Sequence, residues 1–268
     1  MGKLQKSFLE VGKCIYCGQV PVNGEEPLSK EHIIPHALGG NVTLLAASCA
    51  KHRDITSKTE AKVLRCMFGE FRLHTGIKKP ARTHHLPIVL IREDGDRLVE
   101  YPLNRHPHLL PMILFEPAGF RGGHDGTSLK LSRIGMLNYQ PDYQNRANLV
   151  GSYRQDTLID CWAFGRLLAK IAHGLAVREF GVNGFEHFLV PVIDGTEERL
   201  FFYVGGSSEP LHGTGLHSCR LEVIPFGSQW MVIAKIKLFA KIADGNAPTY
   251  EVLVGSMSHG PKFIRPTT

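Results

Sequence analysis

Two short pairs of metal-binding residue types lie near the start of the chain. The first pair is Cys14 and Cys17, followed by Gly18, and the second pair is Cys49 and His52. Zinc binds four nitrogen or sulfur ligands tetrahedrally, and a gap of two residues lets both members of a pair reach one ion. Because protein side chains would fill all four positions, this pattern predicts a structural zinc site.

Between these pairs, an acidic residue is followed directly by a histidine. Residues 28–36 read LSKEHIIPH, with the pair at Glu31 and His32 and a further histidine at His36. A carboxylate suits a hard cation, and an imidazole can exchange a proton near neutral pH. One metal site that holds the fold and a second site that performs chemistry would account for this arrangement. The simpler alternatives are a hydrogen-bonded strand histidine and a surface carboxylate.

The excess positive charge of the chain lies in the segment that contains these residues. Residues 1–85 contain 13 Lys or Arg and 7 Asp or Glu, which gives +6, whereas residues 86–268 contain 18 of each and are neutral. A basic segment is typical of a protein that binds a polyanion, because each neutralised phosphate releases a counterion. The alternative is a solvated, lysine-rich face. Its position beside a candidate metal site favours nucleic acid as the partner.

The composition indicates a globular protein without a membrane partner. Hydrophobic residues make up 43% of the 268 residues and charged residues 21%, and this length accommodates two domains. No apolar run approaches the length of a membrane span, and the first residues lack the apolar segment of a secretory signal. Three of the six cysteines are scattered singly, which is typical of a reduced protein. We expect a cytoplasmic location.

Around the two ligand pairs, the sequence predicts a knuckle, a strand, a loop, a strand and a helix in that order. Residues 1–13 are polar and are expected to form a loose lead-in. Pro35 ends the first strand because proline offers no N–H to a sheet. The predicted segments are a strand at 28–34, a glycine turn at 39–40, a strand at 42–45 and a helix from residue 49 onward.

The second half of the chain predicts an α+β domain beyond a basic, proline-containing linker at residues 78–85. The clearest helix covers residues 158–180 and ends at Gly181; His173 on it is expected to be a hydrogen-bonded core histidine. Residues 104–128 are rich in Pro, Gly and His and are expected to be irregular. The other predicted segments are strands at 88–91, 97–103, 129–136, 200–204, 221–225, 230–239 and 250–254, with a turn at 205–206. We expect the helix to pack on a mostly antiparallel sheet.

Taken together, the motifs in residues 10–75 resemble the HNH endonucleases, and specifically the branch whose ββα-metal core is clamped by a four-ligand zinc site. The second half resembles an uncharacterised companion domain that often follows such modules in bacteria. The resemblance implies a nuclease module in residues 1–80 and a companion domain in residues 86–268 that regulates, senses or forms a homo-oligomer. The proteins that accompany such modules suggest a role in bacterial defence.

The resemblance also implies roles for individual residues in the hydrolysis of DNA, with RNA as the open alternative. His32 would be the general base that deprotonates the attacking water, and Glu31, where the family usually has Asp, would hold a catalytic Mg²⁺ or Mn²⁺. Asn41 is the counterpart of the middle asparagine, which braces the loop. The cations expected to contact flanking phosphates are Lys30, Lys51, Arg53 and Lys58.

The chain departs from the family at the third motif position. If His52 is a zinc ligand, the next residue is Arg53, which cannot coordinate a cation; Asp54 or His36 could substitute. Alternatively, His52 is itself the catalytic ligand and the zinc site is incomplete. The departure also leaves open a different class of protein, a catalytically silent zinc-knuckle module that binds nucleic acid.

Overall fold

The described parts of the chain come from a computed structural model and cover most of both halves. They are residues 7–22, 24–69, 71–72, 85–91, 95–102, 109–138, 152–154, 158–213, 215–241 and 247–260. Most of the predicted linker, residues 78–84, lies outside them. The division into residues 1–80 and 86–268 therefore stays a prediction.

The N-terminal elements form a three-stranded sheet followed by a helix. The strands are β1 (Ser7–Glu10), β2 (Ser29–His32) and β3 (Val42–Ser48), and the helix is α1 (Ala50–Cys66). Strand β3 lies in the centre, antiparallel to β2 and parallel to β1. The prediction of a loose lead-in was wrong for β1. Its side chains are mostly exposed, so the strand is held by main-chain pairing with β3. Its sequence therefore lacks the alternation of apolar and polar residues that would predict a strand.

The connection between β2 and β3 is a compact turn, as the sequence predicts. Residues His36–Leu38 form one turn of 3₁₀-helix, and Gly39 follows with a φ of 93°, a conformation that favours glycine. A side chain at Gly40 would bring its Cβ within 1.9 Å of the carbonyl oxygen of Ile34. The two glycines therefore let the chain return close beside the end of β2.

Two small antiparallel sheets follow. One contains β4 (His85–Ile91), β5 (Arg97–Pro102) and β8 (Ser152–Arg154), and the other pairs β6 (Leu109–Phe115) with β7 (Leu131–Asn138). The hairpin of β4 and β5 is confirmed. The prediction of irregular structure was wrong for β6, since its proline-interrupted run is buried at five positions, Leu110, Pro111, Met112, Ile113 and Phe115. Helix α2 (Gly119–Gly122) lies between β6 and β7 in the chain.

The largest sheet belongs to the second half of the chain. Its strands run in the order β10-β13-β12-β11, with β9 also paired to β13, and every pairing is antiparallel. The strands are β9 (Glu186–His187), β10 (Val204–Gly206), β11 (Ser218–Phe226), β12 (Gln229–Lys237) and β13 (Tyr250–Met257). The helices of this half are α3 (Cys161–Phe180), α4 (Val190–Asp194) and α5 (Leu200–Tyr203).

Two predictions near the start of β10 were wrong. Residues 200–203 form a helical turn instead of a strand, because Leu200 and Phe201 are both buried and consecutive side chains of a strand point to opposite faces. Gly205 and Gly206 belong to β10 instead of a turn. A Cβ at Gly205 would lie 2.2 Å from the backbone nitrogen of Ala118, so the glycine permits close approach of two chain segments.

Helix α3 is buried along most of its length and joins the N-terminal elements to the large sheet. Asp160 caps its first turn by accepting a hydrogen bond from the N–H of Ala163 at 2.8 Å. Phe68, just after α1, contacts Phe164 of α3 and Phe239 after β12, with ring centroids 6.1 and 5.3 Å apart. Side chains from both halves therefore belong to one hydrophobic core, and the mixed, mostly antiparallel α+β prediction is confirmed. No helix in the described ranges is long and apolar enough to cross a membrane.

Candidate metal centre and neighbouring candidate active site

The two predicted ligand pairs converge on one point. The ligand atoms of Cys14, Cys17, Cys49 and His52 all lie within 4.8 Å of one another. The Nδ1 atom of His52 is 3.1 Å from the sulfur of Cys49 and 3.6 Å from that of Cys14, and the sulfurs of Cys17 and Cys49 are 3.9 Å apart. Zinc–sulfur bonds of about 2.3 Å in a tetrahedron separate two sulfurs by about 3.8 Å. The cluster could therefore bind a metal, and three thiols with one imidazole are consistent with structural zinc.

Local backbone geometry holds each pair in place. The N–H of Gly18 donates to the carbonyl of Cys14 at 2.8 Å, and the φ of 72° at Gly18 closes the turn after the first pair. The N–H of Ile15 donates to the carbonyl of Ala47 at 2.8 Å, which ties this turn to β3. Cys49 is the N-cap of α1, and His52 lies in its first turn. The strand, the turn and the helix therefore meet at the cluster.

A carboxylate from the second half of the chain faces the other nitrogen of His52. Oδ1 of Asp194, the last residue of α4, lies 3.4 Å from Nε2 of His52. Because Nδ1 points at the thiols, Nε2 is the nitrogen left to carry the proton, and Oδ1 of Asp194, which is buried and has no hydrogen bond within the described residues, lies within reach of it. Such carboxylate–histidine–metal arrangements fix the tautomer and raise the basicity of the ligand. No sequence spacing could have connected Asp194 to the cluster.

Glu31 is buried beside a lysine that the sequence did not single out. Its Oε1 atom lies 2.7 Å from Nζ of Lys170 in α3, and the same ammonium lies 2.7 Å from Oε1 of Glu60 in α1. Burial lowers the pKa of Lys170, but Glu31 and Glu60 raise it more strongly, so that the group stays charged. Burial raises the pKa of Glu31, and Lys170 opposes this effect. Since an ammonium already faces the carboxylate, the groups around Glu31 do not fit the predicted Mg²⁺ or Mn²⁺.

His32 is the last residue of β2 and is partly buried. Burial lowers its pKa, as do the charges of Lys170, His36 and Lys30, whereas Glu60 raises it. The ring of His36 is close, with centroids 5.6 Å apart. The imidazole of His32 is therefore neutral at pH 7, which is the form that can accept a proton from water.

The predicted phosphate-binding cations differ in their surroundings. Lys30, Lys51 and Lys58 are exposed. Arg53 is ion-paired with Glu26 at 2.5 Å and with Asp54 at 3.3 Å. Arg53 is therefore less available to a phosphate than the three lysines.

The remaining candidates lie in the loop after β2. The carbonyl of Asn41 accepts a hydrogen bond from the N–H of Ser7 at 3.0 Å, so its backbone anchors the start of β1. His36 is exposed, and Asp54 is engaged by Arg53. His36 and Asp54 were the two alternatives for the third catalytic ligand. Within the described ranges, neither of them forms a potential metal-binding group with Glu31 and His32.

A buried histidine and tyrosine fill the space behind the cluster. The ring of Tyr16 stacks between His52 and His173, with centroids 5.1 and 5.4 Å apart. Nε2 of His173 donates to the carbonyl of Ile15 at 2.8 Å, and burial lowers the pKa of His173 to about 3. The prediction that His173 is a core histidine with its polar atoms satisfied is confirmed for its burial and for Nε2, whereas Nδ1 is buried and has no hydrogen-bond partner within the described residues.

No described protein family, curated protein or solved structure matches this chain. At the site, the structure shows a Cys₃His cluster that could bind a metal.

Proposed function

We propose that this chain is a zinc-stabilised endonuclease of the HNH type that hydrolyses DNA phosphodiester bonds with His32 as its general base. The supporting observation is the position of His32 at the end of β2, in a β2–β3–α1 unit whose helix begins at the Cys₃His cluster. Its lowered pKa keeps the imidazole neutral at pH 7, as a general base requires.

In this proposal, each group of the site has a distinct task. Zinc would hold the first ligand pair against the start of α1 and take no part in the reaction. Neutral His32 accepts a proton from water as the water oxygen attacks the phosphorus, the P–O bond to one sugar oxygen breaks, and the departing oxygen takes a proton from solvent. The exposed lysines, Lys30, Lys51 and Lys58, contact neighbouring phosphates without reading the base sequence. No divalent ion at Glu31 is included, because Lys170 faces that carboxylate.

A second candidate function is a nucleic-acid-binding module without catalysis. It is favoured by the ion pair of Glu31 with Lys170, which removes a residue that the family uses to hold a cation. Arg53, at the third motif position, gives it further support. The zinc cluster and the basic surface would serve binding equally well, so His32 distinguishes the two candidates.

The deciding experiment is cleavage of supercoiled plasmid by wild-type protein and by His32→Ala, with and without added Mg²⁺ or Mn²⁺. Zinc content is measured in both proteins. We expect His32→Ala to lower the cleavage rate about 10²–10⁴-fold, the usual contribution of a general base. The control is His212→Ala, which removes an exposed histidine in the second half and should leave the rate unchanged. Binding of DNA without cleavage by either protein would favour the second candidate.

A further inference from the structure

Lys170 is buried in the middle of α3 at a place where two carboxylates meet. Its side chain is 3% exposed, and its ammonium lies 2.7 Å from Glu31 and 2.7 Å from Glu60. The same ammonium donates to the carbonyl of His32, and the carbonyl of Ile33 lies 3.5 Å away. The three N–H groups of an ammonium therefore have enough acceptors from β2, α1 and the residues just after β2.

The convergence of these acceptors requires a cation. Glu31 is buried and Glu60 is partly buried, and two such carboxylates that face the same point repel each other unless a positive charge lies between them. Glu31 comes from β2, the strand that ends at the candidate general base His32, and Glu60 comes from α1. Oxygen ligands of this kind would suit a divalent ion, but a side chain of the protein supplies the charge instead.

We propose that Lys170 is the built-in cation of this site, which fills the position between Glu31 and Glu60 that a divalent ion would otherwise take. Through its bond to the carbonyl of His32, it also positions the main chain of that residue. The assignment of the cation site depends only on the contacts around Lys170. The role of Lys170 as a positioning residue in catalysis rests on the proposed function.

This proposal predicts that removal of the ammonium creates a divalent-cation site. In Lys170→Met, which has a similar length and no charge, the two carboxylates lose their partner. We expect this variant to bind one Mn²⁺ that wild-type protein does not bind. Lys170→Met combined with Glu31→Gln is the matched control, since it leaves one carboxylate and should lose the Mn²⁺ again.

The measurement is NMR of the His32 ring in zinc-loaded, full-length protein during addition of Mn²⁺, with free Mn²⁺ followed by EPR. A paramagnetic ion at Glu31 would broaden the signals of the adjacent His32. We expect the signals to persist in wild type and in the double variant, and to disappear at about one equivalent of Mn²⁺ in Lys170→Met. Zinc content and circular dichroism establish that each variant is folded.

Two outcomes would overturn the proposal: loss of the His32 signals in wild type, or a folded Lys170→Met that binds no additional Mn²⁺. If Lys170→Met does not fold, the comparison is between wild type and Glu31→Gln. Equal Mn²⁺ binding by these two proteins supports a site closed by Lys170, and weaker binding by Glu31→Gln contradicts it. None of these readings uses nuclease activity, so failure of plasmid cleavage would be a separate result.

Discussion

At the scale of single residues, His52 has a partner on each side of its ring. Nδ1 faces the sulfurs of Cys14 and Cys49, and Nε2 faces Asp194. A bound metal ion draws electron density from the ring and strengthens the Nε2–H as a donor, so that the contact with Asp194 would tighten when zinc binds. The metal affinity of the cluster should therefore depend on a residue far along the chain.

We expect Asp194→Asn to weaken zinc binding about 10–100-fold, the usual effect of losing the carboxylate behind a histidine ligand. Competition with a chromophoric chelator measures the affinity. The control is Asp54→Asn, which removes an exposed carboxylate of α1 whose ion pair is with Arg53. Equal zinc affinity in Asp194→Asn and wild type would show that Asp194 does not orient His52.

At the scale of elements, α3 contributes the side chains that connect the parts of the site. It provides Lys170 to Glu31 and Glu60, and it provides His173 to the turn of the first ligand pair. Its glycine at position 174 allows the residue just after β2 to approach, since a Cβ there would lie 3.3 Å from the Cγ1 atom of Ile33. The position of α3 along its axis is therefore important for the whole site, and its first turn is fixed by Asp160.

Replacement of the cap, Asp160→Ala, should destabilise the protein by about 1 kcal/mol, because the N–H of Ala163 loses its acceptor. Asp160 also pairs with Lys62 of α1. Asp160→Asn is the matched control, since asparagine caps well but cannot form this ion pair. Urea unfolding, followed by circular dichroism, measures both variants. If Asp160→Asn lowers the free energy of unfolding as much as Asp160→Ala does, the ion pair with Lys62, and not the cap, is the important contact.

At the scale of the whole molecule, the two halves are joined by partly buried polar contacts as well as by the common core. His217, just before β11, donates through Nε2 to the carbonyl of Leu38 at 2.9 Å and accepts through Nδ1 from the N–H of Phe239 at 3.2 Å. This bonding pattern requires a neutral imidazole. Burial lowers the pKa of His217 to about 4.

The stability of the protein should consequently fall in acid through His217. The unfolded chain binds a proton at the ordinary pKa near 6.5, whereas the folded chain resists protonation until about pH 4, so the stability contributed by neutral His217 is lost as the pH falls between these values. At pH 5 this loss amounts to about 2 kcal/mol. His217→Gln retains a donor and an acceptor. Between pH 7 and pH 5, we expect its free energy of unfolding, measured with urea, to fall by about 2 kcal/mol less than that of the wild type. His212→Gln, at an exposed position, should follow the wild-type pH profile; the same profile in His217→Gln would contradict the assignment.

The sequence was sufficient for the parts of the molecule that depend on local spacing. The ligand pairs, the glycine turn after β2 and the helix that ends at Gly181 were all predictable, because each depends on residues a few positions apart. Lys170 and Asp194 were not, since their partners lie far away in the chain and each looks ordinary in its own segment. The helical period of α3 predicted where the helix runs but not which buried side chain would carry a charge.

The buried position of Glu31 also has a consequence for the newly made chain. Residues 14–66 leave the ribosome well before α3 is synthesised, and until then Glu31 and Glu60 have no Lys170 between them and Ile33 has no Gly174 to pack against. Contacts between such distant segments form late, because a long loop must close first. The contacts that these residues make with α3 therefore form only after the second half has emerged, so a prematurely terminated chain would contain the motif residues without Lys170 between Glu31 and Glu60.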